Sequence, residues 1–506
     1  MNNAIKKGAM ISYFSILFNI GVGFIYTPWI INSLGSSDYG IYTLAISVIS
    51  FFLLDFGLSN AVTRFISMYR AQNKEDEIKN LLGMIFKLYF MINILIFIVL
   101  VVIYYFISDI YVQLSASEIT RLKNVFLIVG TYSLIAFPMM PLDGILSGYE
   151  KFFQLKLFPL FQRILTIILT IICLYLNKGL YAVVFVNAFS SILIVGIKYI
   201  YVKKFMKISI NLKAKDKLLF FTIFKFSIWI TIISISQRLI INISPTILGA
   251  MSGTEQITIF SIGASLEGYI WIFANALNGL FLPKVSRIVF NNINEKEDEI
   301  LKLMIKVGKI QLILMGMIIL GFISFGKQFV YLWVGEKFQD AYWVSLLMIL
   351  PGLITHTQEI GTNYLMAINE VKYRSFSFIV AAIFGLTTSL LFSSRLGAIG
   401  PALGVFIGTL IGHIFMMNYF YSKKLNLNIK KFFNKVFFKV VPVQSICLIM
   451  GILLNQIEFL SNAWMDLGIK IIIFMIVYGF LIFILGLDNN EKKKIIDILK
   501  GRFKIV

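Results

Sequence analysis

Apolar residues run along this chain in long unbroken stretches, separated by short polar ones. A half-buried strand alternates with a period of two; these stretches do not, so neither a soluble sheet nor a transmembrane barrel is expected. A helix rises 1.5 Å per residue, so about 20 apolar residues cross a hydrocarbon core of roughly 30 Å. Fourteen stretches meet that length, at about residues 8–31, 39–66, 84–107, 122–147, 158–176, 180–202, 225–249, 258–283, 303–326, 342–368, 375–393, 401–421, 436–455 and 467–487. They are called spans 1 to 14 below. The predicted fold is an all-α polytopic membrane protein with about 14 transmembrane helices.

Composition supports this reading. Of 506 residues, 58% are hydrophobic and only 14% charged, where a soluble domain carries about 25% charged. An ordinary soluble enzyme and a disordered chain are both excluded. Cys173 and Cys447 lie inside apolar runs, and the two histidines, His356 and His413, are more than fifty residues apart. Neither a disulfide framework nor a metal centre is expected.

The net charge is +21, from 46 Lys and Arg against 25 Asp and Glu. In a soluble protein that excess would suggest nucleic acid. Here the cations sit between the apolar runs and divide unevenly. The N-terminal end, the even-numbered connections, the C-terminal tail and their flanks hold 38. The odd connections hold seven: Arg121, Lys123, Lys178, Lys327, Lys337, Arg395 and Lys470. Arg238 alone is in mid-span. Positive charge stays on the cytoplasmic side, so both termini are expected there. Lys6 and Lys7 precede an apolar stretch that reaches Ile31 without a small-residue cleavage site, which predicts an uncleaved first span.

The chain also repeats itself. Tyr26-Thr-Pro28 through Asp38 matches Ile243-Ser-Pro245 through Glu255, with the same spacing from proline to acid. Lys74-Glu-Asp-Glu-Ile78 recurs as Lys296-Glu-Asp-Glu-Ile300, which sets Lys87 on Lys309. Gly179 matches Gly400, and Tyr201-Val-Lys203-Lys204 matches Tyr421-Ser-Lys423-Lys424. Four matches in order imply two six-span lobes, residues 1–212 and 213–430, in one orientation about a central cavity. Spans 13 and 14 follow at 431–487, then an amphipathic cytoplasmic tail at 488–506. Transporters built from such parallel repeats bind substrate at the repeat interface.

A polar or charged group within a span is costly and is read as functional by default. Span 7 carries Ser227, Thr231, Ser234, Arg238, Asn242 and Pro245 on one stripe. Span 8 carries Glu267, Trp271, Asn275 and Asn278; span 10 carries His356, Glu359 and Asn363; span 2 carries Ser47, Asp55 and Ser59. Together they predict water-lined helices. Asp143, close after Pro138 and Pro141, is read as the cap of a broken helix.

Gly35-Ser-Ser-Asp38-Tyr-Gly40, then Asp55-Phe-Gly57-Leu-Ser-Asn-Ala-Val-Thr-Arg64-Phe, then Tyr69-Arg70-Ala71 resemble the start of bacterial polysaccharide repeat-unit flippases of the Wzx type. These belong to the multidrug/oligosaccharidyl-lipid/polysaccharide exporter superfamily. The resemblance implies a flippase in the bacterial cytoplasmic (inner) membrane. It would move an undecaprenyl-pyrophosphate-linked repeat unit of capsule or O-antigen to the outer leaflet by alternating access. It would act beside a polysaccharide polymerase and glycosyltransferases, with membrane lipids as neighbours. The substrate is anionic, so cations are its expected ligands: Arg238, Arg64, Arg163, Lys87 and Lys309, with Asn242, Trp271, Asn275 and Asn278 beside them. Asp55, Glu267, Glu359 and Asp38 are candidates for a coupling H⁺ or Na⁺. Arg238 and Glu267 lie at similar depth on neighbouring spans, which predicts a resting pair between them.

No cofactor, metal, nucleic acid or catalytic residue is expected. The chain lacks G-x-x-x-x-G-K-[ST], so direct use of ATP is disfavoured. Two other transport readings stand beside the first. A multidrug or cation antiporter of the superfamily usually stops at twelve spans and places an acid in span 1. A peptidoglycan lipid-precursor flippase shares fourteen spans but carries arginines in span 1. Span 1 here has neither. A polymerase or glycosyltransferase would need a large outer loop, and the longest predicted here are about fifteen residues.

Overall fold

A computed structural model describes residues 3–213, 217–278, 281–291 and 296–499. The described chain is helical with no strand. In order the first helices are α1 (Asn3–Leu34), α2 (Ser36–Ser50), α3 (Leu58–Ala71), α4 (Glu75–Ile110), α5 (Ala116–Ala136), α6 (Pro141–Gly148), α7 (Phe152–Tyr175) and α8 (Gly179–Ile200). Next come α9 (Lys217–Gln237), α10 (Ser244–Met251), α11 (Thr254–Asn278), α12 (Leu282–Asn291), α13 (Lys296–Val334), α14 (Ala341–Ile349), α15 (Gly352–Thr355), α16 (Glu359–Ala367) and α17 (Val371–Leu396). The last are α18 (Ile399–Gly408), α19 (Met417–Lys423), α20 (Ile429–Asn455), α21 (Ala463–Leu481) and α22 (Asn489–Leu499).

Among the described residues, thirteen helical segments are long and apolar enough to cross a membrane. They coincide with every predicted span except span 2, so the chain is an integral multi-pass membrane protein. Span 2 is interrupted: α2 ends at Ser50 and α3 begins at Leu58. Spans 7 and 12 pass through π-helical turns, and spans 4 and 10 break at 3₁₀ turns. Span 4 passes through a 3₁₀ turn at Phe137–Met139, with Pro138 and Pro141 removing two backbone donors. Asp143 lies in the first turn of α6, as the prolines predict, and accepts from Lys198 Nζ at 2.7 Å. Span 10 is divided among α14, α15, a 3₁₀ turn and α16. The repeated Lys-Glu-Asp-Glu motifs open α4 and α13, where three acids in each first turn oppose the positive end of the helix dipole.

Packing groups the chain into two compact units. One unit holds Met1–Ile262 with Phe378–Val405; the other holds Gly263–Ser377 with Phe406–Val506. Within the second unit, α13, α20 and α21 share one core that includes Met304, Leu312, Phe432, Val440, Phe474 and Tyr478. Polar groups fix the register of that core. Gln444 donates to the Leu312 carbonyl at 2.9 Å, and Tyr478 donates to the Ile313 carbonyl at 2.7 Å.

An ion pair also lies inside this unit. Lys470 Nζ meets Asp466 at 2.6 Å, one turn apart on α21, with both side chains almost wholly enclosed. Gln328 and the Phe459 N–H also donate to Asp466. Removing one partner of a buried pair strands the other charge. Asp466→Asn is therefore expected to lower the melting temperature of the detergent-purified protein by several degrees, with the exposed Asp340→Asn as control. Equal melting of the two variants would show the pair to be inert.

Candidate functional site

The first unit holds three polar arrangements, each traceable to a local departure from helix. The first is the interruption of span 2. Phe56 and Gly57 both take positive φ, 51° and 67°. A Cβ on Gly57 would stand 2.9 Å from Ile230, so glycine also allows a close helix approach there. The break frees backbone carbonyls, and an unpaired carbonyl in hydrocarbon costs several kcal/mol. The polar stripe of span 7 meets them. Thr231 donates to the Phe56 carbonyl at 2.7 Å, Arg238 to that of Leu53 at 3.0 Å, and Ser227 to that of Gly57 at 3.4 Å. Ser47 on α2 donates to the Asn242 carbonyl, and Asn242 Nδ2 reaches Ser50 at 3.4 Å. Arg238 and Asn242 bound a π-helical turn, a form that often marks functional positions.

Asp55 closes the other side of this joint. Its carboxylate accepts from the Ser59 N–H at 3.1 Å, from Ser59 Oγ at 2.6 Å and from Tyr89 Oη at 2.5 Å. It thereby caps the first turn of α3. The stripe expected to line water thus joins span 7 to span 2.

The second arrangement lies at the end of the unit away from the basic loops. Ser115 and Glu118 form a capping box at the start of α5. The Glu118 carboxylate also accepts from Ser37 Oγ and from Thr254 Oγ1, both at 2.7 Å. Thr258 donates to the Ser36 carbonyl at 2.7 Å, and Arg121 pairs with Asp38 at 2.6 Å. Glu118 therefore ties together the starts of α2, α5 and α11. Gly40 lets the backbones meet: a Cβ there would stand 2.3 Å from the Thr254 carbonyl oxygen. The turn after α17 joins the same seam, since the Ala398 N–H donates to Gln256 at 2.8 Å and Ser252 donates to the Ser393 carbonyl at 2.8 Å.

The third is a cavity of about 420 Å³ among α1, α7 and α8. Its polar lining includes Ser15, Asn19, Lys156, Gln162, Arg163 and Asn187. Lys156, Pro159 and Arg163 recur at helical spacing along one face of α7. Pro159 has no N–H, so the Leu155 carbonyl gains no partner from its own helix, and both residues border the cavity. Arg163 lies about 16 Å along α7 from its start, its guanidinium 5.5 Å from the Tyr26 ring centre. Gln162 donates to Ser191 at 2.7 Å and Asn187 to Tyr42 at 2.8 Å, which fixes both amides. Two cations, fixed amides, a hydroxyl and a carbonyl acceptor suit an anionic, hydroxyl-rich ligand. The volume falls in the range of small-molecule sites, about 300–1,000 Å³.

The sequence profile of a family described as "Polysaccharide biosynthesis protein" matches residues 5–289, more than half of the chain. The chain belongs to that family. No curated protein matches it. Among solved structures, the lipid II flippase MurJ in an inward closed conformation is 18% identical, with a TM-score of 0.68 over 94% of this chain and 98% of that one. An inward-facing multidrug transporter of the MATE family is 16% identical, with a TM-score of 0.65 over 81% and 97%. A MOP superfamily transporter from Pyrococcus furiosus is 14% identical, with a TM-score of 0.57 over 82% and 93%; its structure is described as having a binding pocket of reversed polarity. The fold is that of the MOP superfamily transporters.

In this polysaccharide biosynthesis family member, the residues that carry the resemblance are joints. Gly35 has φ of 82° before α2. Ser37, Asp38 and Gly40 build the seam; Asp55 and Gly57 build the break. Arg70 donates to the Gly148 carbonyl at 3.2 Å and lies 4.6 Å from the Tyr149 ring centre. Arg64 is exposed on α3 and Lys87 half-buried on α4. Arg238 belongs to the first unit and Glu267 to the second.

In the second unit Trp271 is 49% exposed, and Glu267 and Glu359 are half-buried. Gln358 donates to Asn418 at 2.8 Å and Thr362 meets the Tyr421 hydroxyl at 3.2 Å. Lys309 is buried against carboxylates of the tail. The side chains of Asn275 and Asn278 lie outside the described residues.

Three useful residues escaped sequence reasoning: Lys156, Gln162 and Glu118. Lys156 sits two helical turns before Arg163 with Pro159 between them, and Ser115-x-x-Glu118 is a readable capping box. Both signals were there to be found.

Proposed function

We propose that the protein is a lipid-linked oligosaccharide flippase. It carries an undecaprenyl-pyrophosphate-linked repeat unit from the inner to the outer leaflet by alternating access between two lobes, without hydrolysing ATP. The observation that carries this reading is the cavity holding Lys156 and Arg163 beside fixed amides, in a chain of the polysaccharide biosynthesis family. A guanidinium binds phosphate oxygens in pairs, and amides suit sugar hydroxyls. Of the four candidate carboxylates, Asp38 is held by Arg121 and Asp55 by Ser59 and Tyr89. A coupling H⁺ or Na⁺ would therefore be taken by Glu267 or Glu359. The polymerase and glycosyltransferases of the same polysaccharide are the expected partners in the inner membrane, with both termini cytoplasmic.

Deletion of the gene tests the reading. Surface polysaccharide should be lost while lipid-linked repeat units persist on the inner leaflet. Normal surface polysaccharide, in a strain with no second exporter, would overturn it. Drug sensitivity with intact polysaccharide would instead support an antiporter.

A further inference from the structure

The tail docks onto two lysines of the second unit through ion pairs. Lys309 lies 13 residues into α13, and its side chain is 7% exposed. Its ammonium meets Glu491 at 2.6 Å and Asp488 at 3.4 Å. Lys439 of α20 donates to the other oxygen of Asp488. One carboxylate thus bridges two lysines from two helices and holds the ammonium groups close together. Lys439 keeps the Asp488 carboxyl below the usual carboxylate range.

These acids also start α22. The Asp488 N–H donates to Glu491 at 2.8 Å, and the Asp488 carbonyl accepts from the Lys492 N–H. Lys492 Nζ ties back to the Ile484 carbonyl at 2.7 Å. Helix start and lysine pairing are therefore one arrangement, lost or kept together.

Beyond this acidic start the tail is basic: Lys492, Lys493 and Lys494 are followed by Lys500, Arg502 and Lys504, against Asp497 alone. Span 9 covers about residues 303–326, so Lys309 lies about 9 Å inside its basic-loop end, and its side chain runs toward that end to meet Asp488 and Glu491, within reach of the headgroup layer. An anionic lipid surface attracts a basic segment by about 1 kcal/mol per cation. The same headgroup phosphate suits two adjacent ammonium groups. Both effects pull the tail from the lysines.

We propose that Lys309 and Lys439 form a binding site for the phosphate of an anionic lipid headgroup, which Asp488 and Glu491 occupy until the lipid displaces them. The tail is then a strap that senses surface charge. This inference is independent of the transported substrate.

The test uses the full-length protein in detergent, with lipid binding followed by native mass spectrometry. Asp488→Asn with Glu491→Gln removes the occupant, and phosphatidylglycerol should bind about tenfold more tightly, the effect of a lost charged competitor. Adding Lys309→Gln and Lys439→Gln should cancel that gain. Unchanged affinity in the first variant would overturn the proposal, as would retention of the gain in the second. Loss of folding in either variant is met by a second measurement on the wild-type side chains. Spin labels at Asn434→Cys and Asn490→Cys, with Cys173→Ser and Cys447→Ser, report the gap between α20 and the tail. The distance distribution should be narrow in phosphatidylcholine nanodiscs and longer and broader in phosphatidylglycerol. Identical distributions would overturn the strap. Inorganic phosphate in phosphatidylcholine should leave the narrow distribution unchanged; opening by phosphate alone would mark a free-phosphate site and overturn the lipid assignment.

Discussion

Replacing Gly40 by valine is expected to abolish transport, to below about one hundredth of wild type. A Cβ at this position would stand 2.3 Å from the Thr254 carbonyl oxygen, and that oxygen belongs to backbone. The start of α11 or of α2 must therefore move. Movement also separates Thr254 from Glu118, and Thr258 from the Ser36 carbonyl. Overpacking of this kind costs about 1–3 kcal/mol, enough to hold the seam apart without unfolding so large a chain. A cysteine placed at Ser37 should then react with a membrane-impermeant thiol reagent several times faster in the Gly40→Val background. Gly40→Ala, with less to accommodate, should fall between. Wild-type transport by the valine variant would show that the seam need not close.

Arg163→Ala is expected to reduce transport about 10- to 100-fold, corresponding to the roughly 1.5–3 kcal/mol of a hydrogen bond to a charged group. Arg163 is the deeper of the two cations in the first-unit cavity. Lysine keeps the charge but cannot bind two phosphate oxygens in one plane, so Arg163→Lys should recover only part of the loss. Membrane levels should be unchanged, because the guanidinium faces the cavity and the Tyr26 ring instead of closing a buried ion pair. The measurement is transfer of a lipid-linked oligosaccharide in proteoliposomes, with protein level by immunoblot. Full activity of Arg163→Ala would remove the cavity from the transport path.

The hydrophobic pattern placed the spans well because membrane insertion depends on local composition. The stretch predicted at 84–107 lies inside α4, and that at 436–455 inside α20. The interruption of span 2 was not legible. Phe51-Phe-Leu-Leu54 is as apolar as any helix, and the break is stabilised by Ser227, Thr231 and Arg238, 170 to 185 residues away. The same distance hid the meaning of the span 7 stripe. Its periodicity was correct, and its partner turned out to be exposed backbone. Asp55 was conspicuous as a charge in a span, but only three-dimensional contacts reveal that its oxygens are already engaged. Arg163 is legible as a cation on span 5; Lys156 lies just before the predicted span at 158–176 and gains its meaning only from the cavity it borders.

The interruption at 51–57 has a mechanical meaning. It converts one crossing into two short rods with different attachments: α2 packs on α5 and α10, whereas α3 packs on α6 and α4. Tilting a continuous helix spreads strain over every turn. Here the positive φ of Phe56 and Gly57 turns the chain between the rods, so α2 and α3 need not share one axis, and Ser227 and Thr231 hold the joint at its carbonyls.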